Sequence, residues 1–106
     1  MDFNDYQILA KRTMVDGQSQ IVNYALGLAG ETGETVDFIK KWMFHGHYLD
    51  HAKLESELGD VLWYVSALAT SFGYSLEEIA EMNIEKLKAR YPQGFSESDS
   101  INRSDV

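Results

Sequence analysis

The sequence predicts an all-α, four-helix-type bundle in a single domain. Apolar residues recur on the 3.6-residue period along four successive stretches, while the alternation of β-branched residues that marks strands is nearly absent. The only proline, Pro92, falls late, where it ends the last of these stretches instead of breaking one. A chain of 106 residues fits one domain and leaves no room for a second core.

The first stretch runs from about Phe3 to Met14 and gives way to VDGQSQ, a loop by composition. The second, from about Ser19 to Phe44, is the longest. After it, Gly46 in HGHYLD is a stop signal and Asp50 an N-cap for the next helix. The third runs from about His51 to Phe72 and stops at Gly73. Ser75-Leu76-Glu77-Glu78 then has the capping-box pattern, in which Ser75 and Glu78 satisfy free backbone N–H groups. The fourth helix ends at Tyr91. The domain so defined covers residues 1–95, and the polar residues 96–106 read as a flexible tail.

Composition narrows the function. There is no cysteine, so disulfides, thiolate metal sites and Cys nucleophiles are all excluded. The N-terminal MDFNDYQILAKRTM lacks the basic-then-apolar order of a signal peptide, and no apolar run approaches membrane-spanning length. A cytoplasmic protein is expected. The net charge of −8 argues against general affinity for nucleic acid, which needs basic residues to displace counterions from phosphates. A small anionic ligand remains compatible, provided a metal ion supplies positive charge locally.

The segment GLAGETGETVDF, from Gly27 to Phe38, departs from ordinary helix chemistry. Each glycine in a helix interior costs about 1 kcal/mol relative to alanine, and like charges at helical spacing repel. On this helix Ile21, Ala25, Leu28, Thr32, Ile39 and Met43 form an apolar stripe. Glu31 and Glu34 sit about 60° apart on its flank. The next helix repeats the arrangement: Leu54, Leu58, Val61, Leu62, Val65 and Phe72 form a stripe flanked by Glu57 and Asp60. If the stripes pack together, two carboxylate pairs meet at the border between the helices. Four carboxylates that close repel and raise one another's pKa values, and a divalent cation resolves the conflict. The all-oxygen ligand set, without the Glu-x-x-His of di-iron bundles, suits Mg²⁺ or Mn²⁺. Gly27, Gly30, Gly33 and Gly59 fall away from the stripes, where bare backbone lets a helix or ligand come close. One such acid pair alone reads as a solvated helix face; two on sequential helices, one embedded in glycines, read as a site.

GETGE followed by ELGDVLWYV resembles the Glu-x-x-Glu … Glu-x-x-Asp signature of MazG-like nucleoside triphosphate pyrophosphohydrolases, and NIEKLKARYPQGF is similar to the end of that family's last core helix. The resemblance covers about Tyr24 to Phe95. It implies that Glu31, Glu34, Glu57 and Asp60 bind Mg²⁺, with Glu34 or Glu57 also orienting the attacking water. It further implies hydrolysis of an NTP or dNTP to the monophosphate and pyrophosphate, as nucleotide-pool house-cleaning. Asn83, Lys86 and Arg90 resemble the family's phosphate-contacting set; a basic helix end favoured by the dipole is the plainer account of Lys86 and Arg90. Lys41 is a weaker candidate. Sites in this family are usually completed by dimerisation, so a homodimer or a dimer of dimers is expected. Phosphoribosyl-ATP pyrophosphohydrolysis is the nearest rival chemistry, and a non-catalytic helical interaction module the rival from another class.

Other residues carry weaker signals. His45, His47 and His51 cluster after the second helix and, with no cysteine or helical pairing, read as polar lid or interface elements, not a zinc site. Phe38, Trp42, Trp63 and Tyr64 have the rings to stack on a base, but aromatics at helical spacing are more often packing residues, Trp63 in particular. Gln7, Gln20 and Asn23 are candidate base readers.

Overall fold

Cap side chains, two of them (Asp50 and Ser75) legible in the sequence, set where most of the helices start. In the computed structural model, which describes residues 1–103, α1 spans Phe3–Lys11, α2 Gln20–Phe44, α3 His51–Ser71, α4 Leu76–Arg90 and α5 Glu97–Ile101. Asp2 caps α1 by accepting from the Asp5 N–H at 2.8 Å. Asp50 caps α3 by accepting from Lys53 at 3.1 Å, and Ser75 caps α4 by accepting from Glu78 at 3.0 Å. Each satisfies one of the free donors at a helix N-terminus. The polar stretch after Pro92 holds α5, whose cap Ser96 accepts from the Asp99 N–H at 3.0 Å. Residues 104–106 of the expected tail lie outside the described residues.

The centre of the fold is the α2–α3 hairpin. Facing residues run in opposite order along the two helices. The Tyr24 and Trp63 rings meet edge to face at 5.6 Å, Gly27 lies under Tyr64, and Lys53 sits 5.6 Å above the Phe38 ring. The face that α2 turns to α3 is rotated from the expected stripe. Ala25, Thr32, Ile39 and Met43 are exposed, whereas Tyr24 and Thr35 are buried. Three hydrogen bonds, two at Tyr24 and one at Thr35, explain the rotation. The Tyr24 hydroxyl accepts from the Val15 N–H at 2.8 Å and donates to the Val15 carbonyl at 3.1 Å, so the ring enters the core without losing its polar partners. Thr35 donates to the Glu31 carbonyl at 2.9 Å, which lets a short polar residue be buried at no cost in hydrogen bonds. The same rotation carries Glu31 from the edge of the interface into it. On α3, likewise, Leu58 and Phe72 are exposed, and Ser66, Ala67 and Ala69 are buried.

The glycines of α2 divide. Gly27 is where the neighbouring helix comes close: a Cβ there would overlap the Tyr64 ring. Gly30, Gly33 and Gly59 have nothing within 4 Å of where a Cβ would stand.

Helix α1 lies across α3 and α4. The Trp63 indole N–H donates to the Thr13 hydroxyl at 2.9 Å, consistent with a packing role for that ring. Gln7 donates to Thr70 Oγ1 at 3.0 Å and to the Tyr74 carbonyl at 2.9 Å, and accepts from the Leu76 N–H at 2.9 Å. Gln7 therefore joins α1 to the α3–α4 turn, with both of its amide N–H groups engaged there.

One chain does not close this arrangement. Its radius of gyration is 16.8 Å, against about 13 Å for a compact domain of this length. It exposes 7961 Å², where a compact monomer of this length would expose about 6,000 Å². The excess lies on identifiable faces: residues 81–89 of α4 are all exposed, Met82 at 73%, and so are Leu26 (68%) and Val36 (60%) on the outer side of α2. Among the described residues no helix is long and apolar enough to cross a membrane.

Two glycine substitutions should move stability in opposite directions. Gly27→Ala drives a methyl into the Tyr64 ring and should cost about 1–3 kcal/mol in chemical denaturation. Gly30→Ala removes backbone freedom without a clash and should add about 0.5–1 kcal/mol. Equal effects from both would contradict the close approach of α2 and α3 at Gly27.

Candidate functional site

The hairpin brings acids from both helices together. One carboxylate oxygen from each of Glu31, Glu57 and Asp60 lies within 4.8 Å of the other two. Glu31 and Glu57 are half-buried between α2 and α3, and Asp60 is exposed at the rim. The Oε2 atoms of both glutamates are cut off from solvent and have no hydrogen-bond donor. A buried polar atom without a partner costs free energy, and two anionic ones facing each other cost more.

That conflict appears in the titration of Glu31. Burial, the charge of Glu34, a hydrogen bond with the Glu57 carboxyl and the charges of Asp60 and Glu57 raise its pKa from 4.5 to about 7. A proton shared between the glutamates relieves the repulsion; a divalent cation relieves it better. Three carboxylate oxygens grouped this closely are a hard donor set that could hold one divalent cation. The orphaned oxygens and the hard donor set both fit a cation. Across the site, burial and then the charge of Asp60 raise the Tyr6 phenol above its usual 10.0, placing α1 beside the rim.

Glu34 stands outside the three-oxygen cluster. It is exposed, and with Glu57 it lines an adjoining cavity of about 370 Å³ whose other walls are Asp37, Phe38, Lys41, His47, Tyr48 and Lys53. Lys53, one turn before Glu57, is a basic residue beside the acids that sequence reasoning missed. Its signal was present, since i and i+4 share a helix face. Asp37 pairs with Lys41 at 2.9 Å and with Lys40 at 3.0 Å. Hydrogen bonds from Lys41 first, then Lys40, hold the Asp37 carboxyl at about 2, ionised at any working pH.

The expected phosphate-contacting residues lie elsewhere in the chain. Lys86 and Arg90 line a second cavity, of about 350 Å³, with Pro92, Asp99, Asn102 and Arg103, and Asn83 is exposed on α4. The structure does not bring them beside the acids of the same chain. Asn23 donates to Gln20 at 3.0 Å, and Gln20 lines a third cavity, near the start of α2. None of the three histidines belongs to the acid cluster; His47 alone reaches the adjoining cavity.

Comparisons with known proteins bear on the family. The family described as MazG nucleotide pyrophosphohydrolase domain matches residues 19–95, which include all four acids. The Gene 37 protein of Mycobacterium phage L5 is 30% identical over 114 residues, covering 97% of this chain and all of the phage protein. No solved structure matches.

A pH dependence follows from Glu31. The folded protein holds a proton that the unfolded chain releases at 4.5, so metal-free stability should fall as pH rises from about 4.5 to about 7. A divalent cation binds the ionised form, and its stabilising effect should grow across the same window. Melting curves with chelator and with Mg²⁺ from pH 5 to pH 8 check both trends. A metal-free melting temperature that rises through this window would contradict the shift at Glu31.

Proposed function

The chain belongs to the MazG nucleotide pyrophosphohydrolase domain family, and from that premise we propose that it hydrolyses a nucleoside or deoxynucleoside triphosphate to the monophosphate and pyrophosphate with Mg²⁺ or Mn²⁺, clearing unwanted nucleotides from the cytoplasmic pool. The observation that carries this reading is the pair of buried, unpartnered glutamate oxygens, one of them on Glu57, which also lines a cavity that holds a lysine.

Glu31, Glu57 and Asp60 hold the cation. When bound, it neutralises phosphate charge and makes water a stronger nucleophile at neutral pH. Glu34, on the cavity wall and outside the ligand cluster, orients the attacking water and accepts its proton. Water oxygen bonds to the α-phosphorus as the bond to the bridging oxygen breaks, and the β and γ phosphates leave together. Lys53 faces the same cavity and takes up charge on the departing pyrophosphate.

Lys86, Arg90 and Asn83 enter this scheme through assembly. The large exposed area and the uncovered faces of α2 and α4 support a homodimer or a dimer of dimers. In such an assembly α4 of one subunit supplies phosphate contacts to the acids of another.

Three outcomes test the reading. Purified protein with Mg²⁺ and a panel of canonical and modified nucleotides should release pyrophosphate and a monophosphate; stepwise orthophosphate would make the reaction wrong, and no Mg²⁺-dependent product would favour an interaction module. Glu34→Gln should lower kcat about 10²–10⁴-fold, the usual range for a general base. Mixing inactive Glu34→Gln subunits with inactive Lys86→Ala subunits should restore part of the activity. Failure of mixed oligomers to do so would keep α4 out of the partner's site.

A further inference from the structure

The turn between α2 and α3 has a construction that the metal chemistry does not require. Gly46 adopts φ +69°, a conformation open to glycine, and the chain folds back over the end of α2. The backbone N–H groups of His45 and His47 both donate to the Lys41 carbonyl, at 3.0 and 3.2 Å. This return brings His47 and Tyr48 to the wall of the cavity that begins at Glu34 and Glu57. Tyr48 is 84% exposed, a large ring held at a cavity mouth with no core to fill.

Building on the pyrophosphohydrolase reading, we propose that this turn recognises the base of the nucleotide, with Tyr48 stacking on it and His47 and Lys41 hydrogen-bonding its edge. Position and charge together favour a base over phosphates. Glu34 and Lys41 are seven residues apart on one helix, a rise of about 10 Å, which matches the reach from a nucleotide's α-phosphate to its base. At the outer end of the cavity the lysine charge is already engaged, because the Asp37 carboxylate pairs with both Lys41 and Lys40. The Asp37 carboxylate lies 2.9 Å from the Lys41 ammonium, so that lysine acts as a fixed hydrogen-bond donor and not as a free cation. Lys53, nearer the acids, is left for the phosphates. Aromatic stacking accepts any base. The ammonium N–H groups and the imidazole select bases that present a carbonyl or ring-nitrogen acceptor toward Lys41 and His47. Asp37 is a positioning residue here, holding Lys41 in place without touching the nucleotide.

Equilibrium binding separates this role from phosphate binding. The probes are inorganic tripolyphosphate and α,β-imido triphosphates of uridine, cytidine, adenosine and guanosine, titrated with Mg²⁺ present so that no turnover is needed. Wild-type protein should bind its best nucleotide analogue at least about tenfold more tightly than tripolyphosphate, the scale of one stacked base. Tyr48→Ala should shrink that gap for every base, and His47→Ala should shrink it and change the order of base preference, both with tripolyphosphate affinity and circular dichroism unchanged. Asp37→Asn should do the same in weaker form. The proposal is overturned if wild type shows no gap, if the gap survives both substitutions, or if they weaken tripolyphosphate binding equally. Failure of the hydrolysis assay alone would refute the proposed reaction and leave this binding result to stand or fall separately.

Discussion

Two glutamate carboxyls, one from α2 and one from α3, face each other inside the hairpin with an oxygen apiece denied both water and a donor. Isolated, this is an unfavourable way to pack two helices, because apolar residues of similar size would be neutral or better there. The arrangement makes physical sense when a cation completes it. The rest of the hairpin supports that placement. Tyr24 and Trp63 fill the space at one end, Gly27 lets α3 come close through Tyr64, and Thr35 bonds back to the Glu31 carbonyl. Asp60 at the rim leaves one side of the cluster open to a ligand.

The second constraint is area. A core whose buried apolar residues, among those described, are Ala10, Tyr24, Ala67, Ala69 and Leu76 is small for a chain that exposes 7961 Å². Uncovered apolar helix faces of this extent mark association surfaces. In the proposed oligomer, stability and site assembly would be coupled: the contacts that cover α2 and α4 would also carry basic side chains of one subunit to the acids of another. In such a protein, dilution weakens fold and function together.

Much of this was legible in the sequence, for different reasons at different places. Helix starts were readable because Asp50 and Ser75 have side chains that only a cap explains, and Gly46 and Gly73 stop helices by adopting positive φ. The acids were readable as two spaced pairs on neighbouring helices. The rotation of α2 was not, because apolar periodicity ranks Tyr24 and Thr35 below Ile39 and Met43, while in the fold hydrogen bonds make the former two buriable. That error placed Glu31 at an edge when it lies in the interface, and separated it too little from Glu34. Tyr48 was missed because a cavity between two helices and a turn has no linear signature, whereas Lys53 had one in its i, i+4 spacing to Glu57. The helix at Glu97–Ile101 was hidden by polar composition, since its cap at Ser96 precedes no apolar stripe.

The claim that a cation completes the buried glutamate pair is tested most directly by Glu31→Gln, with stability measured in chelator and in Mg²⁺ at pH 8. An amide at this position removes one of the facing charges and supplies a donor to Glu57. The account therefore predicts a variant more stable than wild type without metal, and no longer stabilised by adding it. A variant that loses stability in chelator yet keeps the wild-type response to Mg²⁺ would contradict it.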